Sequence, residues 1–176
     1  MRPVGVLALQ GGFAAHVAAL RRARIGAVEV RRANELEGLR GLVLPGGEST
    51  AMLSLLRRRG LLAAVSEFGR QGHPVLATCA GLILAASPEL AWLDVTVRRN
   101  AYGSQRASFV AQSDDGVHDL VFIRAPRVDR VGSRVEVLAR WHGEPVLVQQ
   151  GNVIGATFHP ELVSASQLHA KIFGAA

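Results

Sequence analysis

Cysteine is nearly absent from this chain of 176 residues; there is one, Cys79. One thiol closes no internal disulfide, so the fold does not depend on oxidation, and it cannot supply a cysteine cage for zinc. Lysine is just as scarce, since every basic residue except Lys171 is arginine. Aromatic residues make up 5% of the chain. No apolar run approaches the length of a membrane span. No secretory leader is visible, because Met1-Arg2-Pro3-Val4 leads straight into a strand pattern. The expectation is a cytoplasmic protein with no metal, no cofactor and no membrane partner.

What is present is small and aliphatic. Hydrophobic residues make up 49% of the chain and there are 19 glycines, with Val, Leu and Ala supplying most of the apolar mass. That mixture suits an α/β protein with buried parallel strands. The length fits one domain, residues 1–176, large enough for a real core. The formal charge is +6, and a basic balance can signal nucleic acid. Here the arginines are scattered apart from Arg57-Arg58-Arg59 and the Arg21, Arg22 and Arg24 group, both on helix-like stretches where a solvated face is the plain reading. No nucleic-acid partner is expected, and an acidic protein partner explains the charge equally well.

The first half alternates strand and helix patterns. Residues 4–9 form a short apolar run ended by Gln10-Gly11-Gly12, a buried strand and a tight turn. Helical spacing follows over 13–23, then short strands over 27–30 and 42–44, the second ended by Pro45-Gly46-Gly47. Glu48-Ser49-Thr50 opens a helix carrying Met52, Leu53, Leu55 and Leu56, and another helix covers 61–69. A strand over 74–77 runs into the cysteine turn and its helix. Such alternation implies parallel strands joined by right-handed crossovers. The second half reads differently, with short strands at 92–98, 108–111, 120–123, 135–138, 145–149 and 153–158. Several are expected to pair as antiparallel hairpins laid against the first sheet. An amphipathic helix over 163–173 closes the chain. The expected fold class is α/β, an open three-layer arrangement with a mostly parallel sheet flanked by helices and antiparallel strands added in the second half.

The chemistry-bearing residues sit where strands end. Ala77-Thr78-Cys79-Ala80-Gly81 after a strand resembles a nucleophile elbow, a turn so tight that its flanking residues must be small. At the start of the next helix, the dipole and free N–H groups favour the thiolate. A buried structural cysteine is the plainer alternative. His159 is placed to take the thiol proton and return it to a leaving group. Glu161, two residues on, shares a side with His159 on an extended segment, and can orient the imidazole; Pro160 fixes the backbone between them. Taken alone, such a His-x-Glu is as readily a surface pair. Gly46-Gly47 at another strand end lets backbone N–H groups approach a ligand, and one of them with the N–H of Ala80 would form an oxyanion hole. A simple helix-capping turn is the alternative there. Arg99, beside Asn100, and Arg124 follow strands and are suited to holding a carboxylate; a solvated surface arginine is the plainer alternative for each.

In this order the segments resemble class I (triad) glutamine amidotransferases, and within them the glutaminase subunits of pyridoxal 5′-phosphate synthase. The marks are Gly5-Val-Leu-Ala-Leu-Gln-Gly11, Leu44-Pro-Gly-Gly-Glu-Ser-Thr50, Thr78-Cys-Ala-Gly-Leu82, Arg99-Asn100, Phe122-Ile-Arg-Ala-Pro126 and Phe158-His-Pro-Glu161. The resemblance spans nearly the whole chain and implies a flavodoxin-like sheet. It implies hydrolysis of glutamine by a triad of Cys79, His159 and Glu161 through a γ-glutamyl thioester. Glutamine contacts fall by matching position on Gly47, Glu48, Ser49, Arg99, Ile123 and Arg124, and the oxyanion hole on Gly47 and Ala80. The implied partner is a (β/α)8 synthase subunit that receives the ammonia, with activity arising on docking. Gln10 matches a position tied to that docking and to ordering the oxyanion hole.

The chain departs from the pattern at several points. Ala77 replaces the first elbow glycine; Ala15 stands where the family often has Glu, although His16 is kept; Ala101 and Ser104 interrupt a stretch often read Arg-Asn-Ser-Phe-Gly-Arg-Gln; and the segment between Ala86 and Trp92 is short. None touches the three triad positions. Two other readings stand beside this one. The first is a glutaminase serving another synthase, such as imidazole glycerol phosphate synthase; the second is a non-catalytic flavodoxin-like binding protein.

Overall fold

The computed structural model describes residues 2–101, 108–164 and 167–174. The first half runs β1 (Val4–Leu7), α1 (Phe13–Arg22), β2 (Ala27–Val30), β3 (Gly41–Leu44), α2 (Ser49–Arg58), α3 (Leu62–Arg70), β4 (Val75–Thr78) and α4 (Ala80–Ala85). The second half runs β5 (Val95–Arg98), β6 (Phe109–Gln112), β7 (Asp119–Phe122), β8 (Arg127–Val131), β9 (Glu136–Trp141), β10 (Glu144–Gln150), β11 (Val153–Ala156) and α5 (Leu168–Phe173).

The main sheet has seven strands in the order β2-β1-β3-β4-β11-β10-β9. β2, β1, β3, β4 and β11 are parallel, and β10 and β9 extend the sheet antiparallel. The expected hairpin of β9 and β10 therefore joins the main sheet at its edge rather than lying against it. β5 with β8 and β6 with β7 form separate antiparallel pairs.

Strand side chains alternate between the faces, as the period of two requires. Leu42 and Leu44 enter one apolar cluster with Met52, Leu56, Val65 and Phe68 from α2 and α3, while Val43 enters the opposite cluster with Val17 and Leu20 of α1 and Leu168 and Phe173 of α5. Val75 and Ala77 face the first cluster and Leu76 the second. Both faces of the parallel strands are thus covered, giving three layers. No helix among the described residues is long and apolar enough to cross a membrane.

Helix ends follow local chemistry. Glu48 caps α2 by accepting from the N–H groups of Thr50 and Ala51. α2 stops where Gly60 takes φ 66°, with Leu61 N–H donating to Leu56 O and Gly60 N–H to Arg57 O, the paired bonds of a left-handed helix stop. α1 ends in the same way at Arg24, φ 58°.

Three further sequence expectations need correction. β5 begins at Val95 rather than at 92, because Trp92 turns inward to cover Gly69 of α3 and donates its indole N–H to Ser66 O at 3.3 Å. β8 lies outside the expected strands; it pairs with β5. The closing helix is Leu168–Phe173, not 163–173, because the chain leaves a 3-10 turn at Pro160–Leu162 with Val163 extended (φ −101°, ψ 114°).

Candidate active site

Four neighbouring parallel strands deliver their C-terminal ends to one place: β1 leads to Gln10, β3 to Gly46, β4 to Cys79 and β11 to His159. Open α/β sheets place ligands outside the carboxyl ends of strands, where the order reverses. Here that reversal falls between β1 and β3.

Cys79 stands at φ 49°, ψ −106°, between β4 and α4. A non-glycine residue at positive φ is strained, and such strain is held only where the surroundings enforce it. The enforcement here comes from two sides. Cys79 N–H donates to Ala156 O at 2.8 Å, and a side chain at Gly81 would collide with the Leu44 carbonyl. Ala77, in place of the elbow glycine, is fully buried in regular register between Leu44 and Gly155 and packs into the core, so the methyl is accommodated.

His159 Nδ1 lies 2.7 Å from Glu161 Oε1. Glu161 reaches it from the 3-10 turn Pro160–Leu162 rather than from an extended segment. Pro160 suits the first position of that turn, since its φ is fixed and no N–H is needed. His159 N–H is anchored on Val121 O at 2.9 Å. Burial pulls the imidazole pKa down, but bonding to Cys79 and Glu161 and their negative charge outweigh it and raise it to about 10. Burial likewise pushes the Glu161 carboxyl up, yet His16 and His159 beside it hold it below the ordinary carboxylate range. The three groups form a row from thiol to imidazole to carboxylate, which is the arrangement that activates a nucleophile.

A cavity of about 280 Å³ opens in front of this row, and Gly47, Glu48, Ser49, Cys79, Ala80, Arg99, Ile123, Arg124 and His159 all line it. Every glutamine contact and both oxyanion-hole positions read from the sequence therefore meet at one cavity, while Glu161 stands behind His159 and Gln10 to one side. Gln10 Oε1 accepts the N–H of Glu48 at 2.7 Å. Gly12 N–H donates to Gly46 O at 2.9 Å, so the Gly47 N–H of that trans peptide points the opposite way. A side chain on Gly46 would collide with His159, and one on Gly47 with Gln10. Ala80 is the first residue of α4, so its N–H has no acceptor within the helix.

Glu48 has a double occupation. Its carboxylate caps α2 and lines the cavity, and the Ala51 N–H, against a smaller burial effect, holds its pKa down. Arg99 donates to Thr50 Oγ1 at 2.9 Å. Arg124 and Asn100 both take positive φ, 45° and 49°. The Ile123 carbonyl lies 4.0 Å from Cys79 Sγ. Ser104 lies outside the described residues.

Two residues at this site escape a reading of the sequence. A motif match is all that marks His16, and nothing marks His169. His16 is fully buried and His169 1% exposed, and His16 approaches Glu161 Oε2 at 3.3 Å. The available signal is a histidine on the apolar face of each helix, one turn from Leu20 and beside Leu168.

The family model of the SNO glutamine amidotransferases matches residues 6–173. A protein of Methanothrix thermoacetophila called pyridoxal 5′-phosphate synthase subunit PdxT is 46% identical, over 99% of this chain and 100% of its own length. One of Mycobacteroides abscessus with the same name is 49% identical, over 94% of this chain and 93% of its own. Among solved structures, one described as a glutamine amidotransferase superposes with a TM-score of 0.88 at 44% identity, covering 96% of each chain. Another glutamine amidotransferase, from Thermotoga maritima, superposes with a TM-score of 0.62 at 16% identity, over 96% of this chain and 80% of that one, a likeness of fold alone. With matches running from the first strand through the last helix, the chain belongs to the SNO glutamine amidotransferase family.

Proposed function

We propose that this chain is the glutaminase subunit of a pyridoxal 5′-phosphate synthase, acting in the cytoplasm as a single amidotransferase domain. The observation that carries the reading is the row of Cys79, His159 and Glu161 facing a cavity that all the expected glutamine contacts line. Near-full-length similarity to proteins called PdxT supports the choice of synthase.

In this reading the glutamine α-carboxylate is held by Arg99 and Arg124, as paired guanidinium bonds favour, and its ammonium by Glu48. The side-chain amide then lies over Cys79. Sγ attacks the amide carbon while His159 carries the thiol proton, and the oxygen that becomes negative is stabilised by the N–H groups of Gly47 and Ala80. His159 passes the proton to nitrogen, the C–N bond breaks, and ammonia leaves a γ-glutamyl thioester on Cys79. His159 next takes a proton from water; the hydroxide adds to the thioester, and glutamate departs as the thiol is restored. Glu161 holds the imidazole in orientation and stabilises its charged form throughout. The ammonia goes to a (β/α)8 synthase subunit, and Gln10, gripping the Glu48 N–H, ties the oxyanion loop to the strand end that responds to docking.

The test is to mix the protein with the synthase subunit of the same source and measure glutamate from glutamine. Activity is expected in the mixture and lost in Cys79→Ala. Equal turnover by the variant would sink the triad assignment, and recovery of a histidine-pathway cyclase as the co-purifying partner would move the chain to another synthase.

A further inference from the structure

Behind the triad lies a buried chain of polar groups that the amide chemistry leaves unused. His16 Nδ1 is 2.9 Å from His169 Nε2. Its Nε2 is 3.0 Å from Thr78 Oγ1 and 3.3 Å from Glu161 Oε2. His16 and Thr78 are fully buried, and Glu161 is 4% exposed. Burial, the largest effect on each, brings the His16 pKa down to about 4 and that of His169 to about 3, so both rings are neutral.

A neutral imidazole has one N–H and one bare nitrogen. A carboxylate only accepts, so the hydrogen of His16 belongs on Nε2, beside Glu161. Its Nδ1 is then the acceptor, and His169 must carry its hydrogen on Nε2 and donate it. These tautomers are assigned from the partners. The His16 N–H is aimed at Thr78 Oγ1 and passes Oε2 off axis, for Oε2 makes no full hydrogen bond among the described residues. Oε1 is committed to His159 at 2.7 Å. The Glu161 backbone is held from the same helix, since Arg22 donates to its carbonyl at 3.3 Å.

We propose that His16 is a positioning residue for Glu161, fixing the carboxylate so that Oε1 stays on His159, with His169 setting the tautomer of His16. This rests on the triad reading above. Without His16, the carboxylate loses the imidazole that stands 3.3 Å from Oε2 and is freer to turn its aim away from His159. A misplaced orienting group lowers the rate of the chemical step and leaves substrate binding alone.

The experiment is steady-state glutaminase kinetics of the complex with the synthase subunit, for wild type, His16→Leu, His16→Gln, Glu161→Gln and the double variant His16→Leu/Glu161→Gln. His16→Leu is expected to lower kcat about tenfold to a hundredfold at unchanged KM, the scale that a small misplacement in a site costs. His16→Gln keeps an N–H at similar reach and is expected to restore most of it. In the Glu161→Gln background the leucine is expected to add less than about twofold, because residues acting as a unit are not additive. A His16→Leu kcat within about twofold of wild type, a glutamine variant no better than leucine, or a full additive loss in the double variant would each overturn the proposal. Should His16→Leu fail to fold, His169→Leu takes its place: a several-fold loss of kcat that vanishes in the Glu161→Gln background supports the proposal, and an additive loss overturns it. A wild-type complex without glutaminase activity overturns the functional reading and this proposal with it, whereas active wild type with unmoved variants overturns this proposal alone.

Discussion

Two imidazoles held neutral in the core make folding steeply sensitive to acid. His16 and His169 are 0% and 1% exposed, with folded pKa values of about 4 and about 3 against the ordinary 6.5. Below about pH 6.5 the unfolded chain binds two protons that the folded one refuses, so their contribution is fully present above that pH and is lost as pH falls toward the folded values. Between pH 6.5 and 4.5 each refuses its proton over about two units at about 1.4 kcal/mol per unit, so the pair removes roughly 5 kcal/mol. That equals the whole stability of a weakly stable domain, at the low end of the usual range of about 5–15 kcal/mol. Glu161 acts in the same direction, since its lowered carboxyl pKa gives stability that is lost in acid. His159 does not cancel this: with its pKa raised to about 10, its contribution is already complete below about pH 6.5 and is lost only on the alkaline side. The assay is urea unfolding followed by fluorescence of buried Trp92, from pH 7 to pH 4.5, for wild type and for His16→Gln/His169→Gln. Wild type is expected to lose several kcal/mol and the double variant to lose most of that slope. A wild-type change under about 1 kcal/mol, or an equal slope in the double variant, would mean that the fold does not hold these two imidazoles neutral.

Other outcomes follow from the cavity. Gly46→Ala drives a methyl group into His159, so it is expected to cost about 1–3 kcal/mol in thermal or urea unfolding and to lower glutaminase turnover about a hundredfold. Unchanged turnover would mean the loop does not press on the imidazole. Arg99→Ala and Arg124→Ala are each expected to raise KM for glutamine about tenfold or more with a smaller effect on kcat, as loss of ground-state binding does; the opposite split in steady-state kinetics would remove them from carboxylate binding.

The parallel half of the fold is open to sequence reading because its strands are short apolar runs punctuated by Gly and Pro at the very places where the chain must turn. The candidate site is legible for the same reason: Cys79, Gly46-Gly47 and His159 each close such a run. What escapes lacks a local signature. β8 reads Arg-Val-Asp-Arg-Val and has only Val128 buried, so its strand state comes from pairing with β5. Trp92 has the pattern of strand material, yet its ring fills the space over Gly69. The helix predicted from 163 begins at Leu168, since apolar spacing says nothing of where a turn releases the chain. The His16–His169 contact joins residues 153 positions apart, and neither histidine carries a motif that names the other.

In the proposed function, Cys79 is a nucleophile for the amide carbon of glutamine. Its most direct test is to treat the protein, docked on its synthase subunit, with a glutamine-like diazoketone and map the adduct by mass spectrometry. One adduct is expected, on Cys79, formed faster in the complex, suppressed by glutamine and greatly slowed in His159→Ala. Labelling that glutamine does not suppress, or that proceeds as fast without His159, would contradict it.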